Sequence, residues 1–304
     1  MAFTAKDVAA LREKTGCGMM DCKKALTATD GDMDAAIDFL REKGLAAAAK
    51  KAGRIAAEGV AYACTNEDGT IGTVVEVNAE TDFVAKNDEF KAFVNVVAQT
   101  IIEENPADVE ALLQTKAAGM DVTVSELLTE KIQTIGENIK IRRFVRYEGR
   151  IVTYIHGGGR MAVAVQFDTS DEIAAKPEFV EYAKDVAMQV CALVPQYVDE
   201  ASVPADRVEH EKKILTEQII NDGKPANIAE KIVTGRLKKF FKEICLVDQP
   251  FVKNGDITVQ QYTNDTAKAL GGDIKIVAFT RYEKGEGLEK REDNFADEVA
   301  SMIK

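Results

Sequence analysis

Histidine occurs only twice in the 304 residues, so a zinc site of the Cys/His kind would have to gather ligands from distant segments. The five cysteines, Cys17, Cys22, Cys64, Cys191 and Cys245, are odd in number and lack close spacing, which excludes a disulfide framework. Cys17 and Cys22 stand too far apart for a C-x-x-C redox pair. All five read as small buried residues of a protein in a reducing cytoplasm. No apolar run is long enough to span a membrane, and Met1-Ala2-Phe3-Thr4-Ala5-Lys6-Asp7 lacks the apolar core of a signal peptide. Basic residues are outnumbered 39 to 51, giving a net charge of −12; this disfavours direct nucleic-acid binding and suits a protein partner. A phosphate loop is missing as well. Gly157-Gly158-Gly159 is not part of the Gly-Lys-Ser/Thr order that a Walker A motif needs, so it reads as a turn. Neither a cofactor nor a metal is expected.

What is present is a soluble globular composition, 46% apolar and 30% charged. Thr4 with Asp7 reads as a capping pair ahead of Val8 and Leu11; Met19, Met20 and Leu26 mark a second helix, and Met33, Ile37 and Leu40 a third. Asp30-Gly31 makes the turn between the last two, and Gly44 is expected to stop the third helix. Such a bundle would serve as a small docking head. The Ala-rich run from Leu45 to Ala57 reads as a helical linker with Lys50, Lys51 and Arg54 on its solvated face.

Beyond Gly59 the chain repeats itself. A shift of 90 positions (148 − 58) lays Glu148-Gly149 on Glu58-Gly59, Val165 on Val75 and Ala175-Lys176 on Ala85-Lys86; dropping one residue after Asn87 then brings Phe179 onto Phe90 and Tyr182 onto Phe93. Each copy reads as a hairpin followed by a long helix: strands 60–65 and 70–77 before helix 90–101, strands 151–155 and 160–167 before helix 179–193. Acidic helical pieces over 107–114 and 125–135 and a strand over 139–147 lie between them. A helical hairpin follows around Asp222-Gly223-Lys224-Pro225, whose stripe of Leu215, Ile219, Ile220, Ile228 and Ile232 exceeds what two helices need to bury between themselves. A helix over 259–270, a strand over 273–282 and a last helix with Phe295, Val299 and Ile303 complete the chain.

One residue resists this accounting. Phe83, between a β-branched strand and a helix capped by Asn87 or Asp88, is a large aromatic in an otherwise polar loop. It is either a staple folded back on the next helix or an exposed wedge for a partner. In the second copy, Glu172-Ile173 takes the place of Asp82-Phe83, which favours a role special to the first.

The segments Gly18-Met19-Met20-Asp21-Cys22-Lys23-Lys24-Ala25-Leu26, Thr81-Asp82-Phe83-Val84-Ala85-Lys86, Ile135-Gly136-Glu137-Asn138 with Ile141-Arg142-Arg143, and Tyr154-Ile155-His156-Gly157 resemble the elongation factor Ts family. Gly223-Lys224-Pro225, Gln249-Pro250-Phe251-Val252 and Gly285-Glu286-Gly287 carry the resemblance to the end of the chain. It implies an α+β fold: a ubiquitin-associated-like domain of three helices (1–55), a core of two similar hairpin-plus-helix subdomains (56–147, and 148–200 with 242–284), an inserted coiled-coil hairpin for dimerisation (201–241) and a C-terminal module with its helix (285–304). It also implies a guanine-nucleotide exchange factor of the GTPase elongation factor Tu, and a homodimer. Thr81, Asp82, Phe83 and Val84 would intrude near the partner's magnesium site, with Lys23, Ile135, His156 and Val252 as further contacts. Lys253 stands where relatives can carry an apolar contact residue. The stretch between Glu103 and Glu130 is longer and more acidic than the family leads one to expect, as a lineage-specific addition would be. Two rivals from other classes are a passive chaperone or scaffold for a GTPase, and an enzyme using Asp82, His156 and a cysteine; no nucleophile motif supports the latter, and the chain is expected not to be an enzyme.

Overall fold

The computed structural model describes residues 3–15, 17–221 and 226–289, with backbone alone over 226–229. In chain order the elements are α1 (Ala5–Thr15), α2 (Met19–Ala28), α3 (Met33–Lys51), β1 (Glu58–Thr65), β2 (Ile71–Ala79), α4 (Asp82–Lys86), α5 (Asp88–Glu104), α6 (Val109–Gln114), α7 (Val124–Ile135) and β3 (Lys140–Glu148). There follow β4 (Arg150–His156), β5 (Met161–Thr169), α8 (Asp171–Ala174), α9 (Pro177–Leu193), α10 (Ala205–Asn221), α11 (Ala226–Ile244), β6 (Pro250–Phe251), β7 (Asn254–Thr258), α12 (Val259–Leu270) and β8 (Ile274–Glu283). Helix and sheet are mixed as an α+β fold requires, and among the described residues no helix is long and apolar enough to cross a membrane.

The head closes around Leu11, Cys22, Leu26 and Leu40, with Thr4 and Asp7 capping α1 reciprocally. Gly44 does not stop the third helix, contrary to the local reading. It is buried inside α3, where a Cβ would lie 2.5 Å from Gln133 Oε1, so its missing side chain lets α3 lie against α7. The Ala-rich run is helix only as far as Lys51, with Leu45, Ala46, Ala49 and Lys50 exposed, and residues 52–57 leave the helix instead of extending it as a helical linker. Its cations are not merely solvated: Lys51 Nζ donates to the Ile132 carbonyl in the last turn of α7 (3.1 Å), and Arg54 pairs with Glu80 (3.3 Å). A cation at exposed C-terminal carbonyls is a favourable placement.

Two antiparallel sheets form the core, ordered β1-β2-β3 and β4-β5-β8. Each is bulged at one place, between Glu76 and Val77 and between Gln166 and Phe167, again 90 positions apart (166 − 76). The repeat extends further at a second shift of 135 (258 − 123), hidden because the helical hairpin is inserted in one copy only. Thr123 and Thr258 cap α7 and α12, Gly136 and Gly271 end them in left-handed backbone, and the third strands share Phe-x-Arg-Tyr-Glu at 144–148 and 279–283. The stretch 103–130 is thus no appendage. Its residues 111–130 are the first copy's counterpart of 246–265, and Leu112, Ala117, Val124 and Leu127 are core. The sheets meet through small residues, Ala61, Ala63, Ala162 and Ala164, and Ala61 N–H donates to the Gly159 carbonyl (2.8 Å).

Helix caps correct the alignment around the aromatic. Thr81 caps α4 and Ser170 caps α8, a shift of 89 (170 − 81), so the residue omitted from the second copy precedes the short helix instead of following it. Phe83 then corresponds to the exposed Glu172, while Ile173 (4% exposed) takes the place of Val84 (8%). The same shift pairs Asn105 with Val194, each ending a long helix at φ 48°. Asparagine tolerates this left-handed backbone and a β-branched residue does not. Val194→Asn is accordingly expected to raise stability by about 1 kcal/mol, read as a higher urea midpoint at unchanged slope.

In the helical hairpin Ile219 is 1% exposed and packs with Leu215 and Val233 between α10 and α11, while Ile220 is 56% exposed. Ile219 is internal core, and the outward apolar residue is its neighbour. The turn 222–225, the Ile228 side chain and the last helix with Phe295, Val299 and Ile303 lie outside the described residues.

Candidate partner-binding site

The site is built around α4, a helix of only five residues (Asp82–Lys86). Thr81 Oγ1 accepts from Val84 N–H at its start, and Asn87 Oδ1 accepts from Glu89 and Phe90 N–H to begin α5. One turn between two caps can bury one side and must present the other. Val84 and Ala85 face the core of the first sheet, and Phe83 projects with 79% of its surface exposed. The staple reading is thereby excluded. Lys86 lies 5.9 Å from the Phe83 ring centre and pairs with Asp82 at 2.6 Å; that hydrogen bond holds the Asp82 carboxyl below the usual carboxylate range.

Ile135 is half-buried at the end of α7, and the residues that follow it reach this turn. Glu137 receives both polar hydrogens of Thr81, N–H to Oε2 at 3.0 Å and O–H to Oε1 at 2.6 Å, and Asn138 N–H donates to Glu80 Oε1 at 2.6 Å. His156 sits exposed at the tip of β4 with Nδ1 3.0 Å from the Tyr154 hydroxyl. Its hairpin reaches the same end of the sheet pair: Arg160 O accepts from Lys284 N–H, Lys284 pairs with Glu58, and Glu58 stands opposite Ala79 at the end of β2. Val252 is exposed on the β6–β7 hairpin, its N–H donating to Gln189 Oε1 (2.7 Å). Lys253 is turned to Asp185 (2.6 Å), which raises its pKa through that hydrogen bond. Lys23 stands on the head, on the face of α2 that also exposes Met19 and Met20.

A buried carboxylate beneath the site escapes the sequence reading. Glu76 is 0% exposed and receives Arg142 Nη1 (2.9 and 3.1 Å), Arg143 Nε (2.6 Å), Asn78 Nδ2 (3.1 Å) and the Gly285 N–H (2.8 Å). It fastens the Gly285-Glu286-Gly287 turn to the first sheet. The signal that could have found it is a glutamate inside the run Val74-Val75-Glu76-Val77, with Arg142-Arg143 on a later strand. Glu80 and Glu137 gave none, since their partners are distant in sequence.

The arrangement offers no acid/base constellation. Asp82 is engaged by Lys86 and His156 by Tyr154. Cys17, Cys22, Cys191 and Cys245 are buried, and burial pushes the thiols of Cys64 and Cys245 up to about 11 and about 12, far from the thiolate a nucleophile requires. What is presented is shape: an exposed aromatic ring on a capped turn.

A family model described as elongation factor TS matches residues 80–286. Over 305 residues, and 99% of either chain, the protein is 51% identical to elongation factor Ts of Clostridioides difficile. It is 50% identical to that of Clostridium novyi (304 residues; 99% of this chain, 98% of the relative) and 49% identical to that of Symbiobacterium thermophilum (302 residues; 98% and 97%).

Proposed function

The chain belongs to the elongation factor Ts family of translation elongation factors, and from that premise we propose that it binds GDP-bound elongation factor Tu and promotes exchange of GDP for GTP. The observation that carries this reading is Phe83, a ring held almost wholly in solvent by a capped turn. Magnesium and backbone donors hold the phosphates of GDP by charge, so displacing the elements that position them weakens the hold. Phe83 acts as an apolar wedge that stabilises the displaced arrangement, with Thr81 and Val84 fixing its turn and Asp82 as a polar partner, not a magnesium ligand. Lys23, Ile135, His156 and Val252 supply contacts around it. No covalent step is required, and coupling is reciprocal: GDP weakens binding of this chain by the factor by which the chain weakens GDP. The net charge of −12 suits a protein partner in a bacterial cytoplasm better than nucleic acid.

A passive chaperone or scaffold would bind the same GTPase without this coupling. Mixing the chain with partner loaded with fluorescent GDP and excess unlabelled nucleotide separates the two: accelerated release supports exchange, and unchanged release with binding intact supports the scaffold.

Self-association through α10 and α11 belongs to the same reading, carried by the outward Ile220. Ile220→Glu is expected to lower the mass measured by light scattering at tens of micromolar while exchange per chain persists. A wild-type monomer in that range removes the dimer. Ile219→Glu is the wrong test, because it charges the hairpin's own core and unfolds it.

A further inference from the structure

We propose that Glu137 is a positioning residue for Phe83: by clasping the cap of α4 it fixes the direction in which the ring projects, and with it the efficiency of exchange, an inference that rests on the exchange reading above. A five-residue helix has too few internal hydrogen bonds to hold itself, so its geometry depends on its ends. At the N-terminal end one carboxylate takes both hydrogens of Thr81, at 3.0 and 2.6 Å. With the hydroxyl proton committed to Glu137, the Thr81 oxygen is left as the acceptor that Val84 N–H needs. The clasp is mutual, since Glu80 of the α4 loop accepts from Asn138 N–H and Arg54, and Asn138 Nδ2 donates to the Arg54 carbonyl (2.8 Å). Its base is firm. Glu137 directly follows Gly136, the C-cap of α7, a helix pinned by α3 through Gly44 and Lys51.

The second copy is an internal control. The shift of 135 puts Gly272 where Glu137 stands (272 − 137), so the second copy has no carboxylate at this place, and a Cβ there would lie 2.5 Å from Ile173 Cδ1, which would have to shift to admit a side chain. Ser170 caps α8 with no carboxylate on it among the described residues, and the position matching Phe83 is the charged Glu172. The clasp occurs in the copy that exposes an aromatic and is absent from the one that does not.

The chain has no tryptophan, so Phe83→Trp introduces a single reporter whose mobility is readable without any partner. In that background Glu137→Ala is expected to lower the fluorescence anisotropy of the reporter and raise its quenching by acrylamide, with the urea midpoint unmoved. In the Phe83 chain the same substitution should slow partner-dependent GDP release roughly fivefold at saturating concentration. Glu137→Gln, with one acceptor oxygen, should fall between; Thr81→Val should mimic Glu137→Ala, and Glu137→Ala added to Thr81→Val should cost little more. A reporter equally constrained with and without Glu137, or strictly additive losses, overturns the proposal. Exchange left intact by Phe83→Ala overturns the wedge role of Phe83 and, with it, the role of Glu137 in exchange, while the reporter still decides whether the clasp holds the turn.

Discussion

Phe83→Ala is expected to slow partner-dependent GDP release at least tenfold, which is about 1.4 kcal/mol of lost coupling, while leaving the fold untouched. The ring is 79% exposed and touches little of its own chain, so its removal should alter stability by less than about 0.5 kcal/mol. Its counterpart Glu172 occupies the same exposed place on α8, and Glu172→Ala should change neither quantity. Ile173→Ala should do the opposite of Phe83→Ala. It empties a buried site beneath Gly272, which costs about 2 to 4 kcal/mol of stability, and exchange per folded chain should persist. Stopped-flow release of fluorescent GDP, beside urea titrations of the three variants, gives both coordinates. A rate unaltered in Phe83→Ala would leave an exposed aromatic without a use.

That contrast was half legible in the sequence. Phe83 announced itself as an aromatic among Asp, Thr, Lys and Asn, but a constant shift placed it opposite Ile173, because the residue missing from the second copy lies before the helix and only the caps reveal it. The first two strands and the long helix of each copy were readable for the same reason that they fold: local alternation, a turn and a capped apolar stripe. The third strand of each sheet is legible as a strand but not as part of the repeat, since the hairpin inserted in one copy stretches the spacing from 90 to 135 (258 − 123). Gly44 misled for a different reason. A glycine in a helical run is a stop signal locally, and in this chain it is a contact point for α7, a fact that only tertiary packing contains. Of the adjacent Ile219 and Ile220, periodicity alone could not say which faces the helix partner. Thr81 and Glu137 lie 56 residues apart (137 − 81), and nothing in either neighbourhood joins them.

A stability effect of comparable size is expected at Glu76. Its carboxylate is wholly buried between two guanidinium groups, and removing one member of such a network leaves the others unpaired, commonly at a cost of about 3 to 5 kcal/mol. The Arg142 and Arg143 side chains are themselves about a quarter to a third exposed (23% and 32%), so water can recover part of the loss, and Glu76→Ala is expected to cost about 3 kcal/mol. The second sheet shows how the same bulge is built without charge: Gln166 replaces Glu76, and Val277 replaces Arg142 as the extra residue of the bulged strand. Glu76→Gln alone should therefore be destabilising, because it sets a neutral amide against two cations. Adding Arg142→Val rebuilds the pair that the second copy already tolerates and removes one of those cations. The double variant should be more stable than the sum of the two single losses by at least about 1 kcal/mol. Urea unfolding of the four chains gives the coupling directly. Strictly additive losses would mean that Glu76 and Arg142 act independently, and the fastening of the Gly285–Gly287 turn would then rest on the Glu76 bond to Gly285 N–H and the Arg142 bond to the Glu286 carbonyl taken separately.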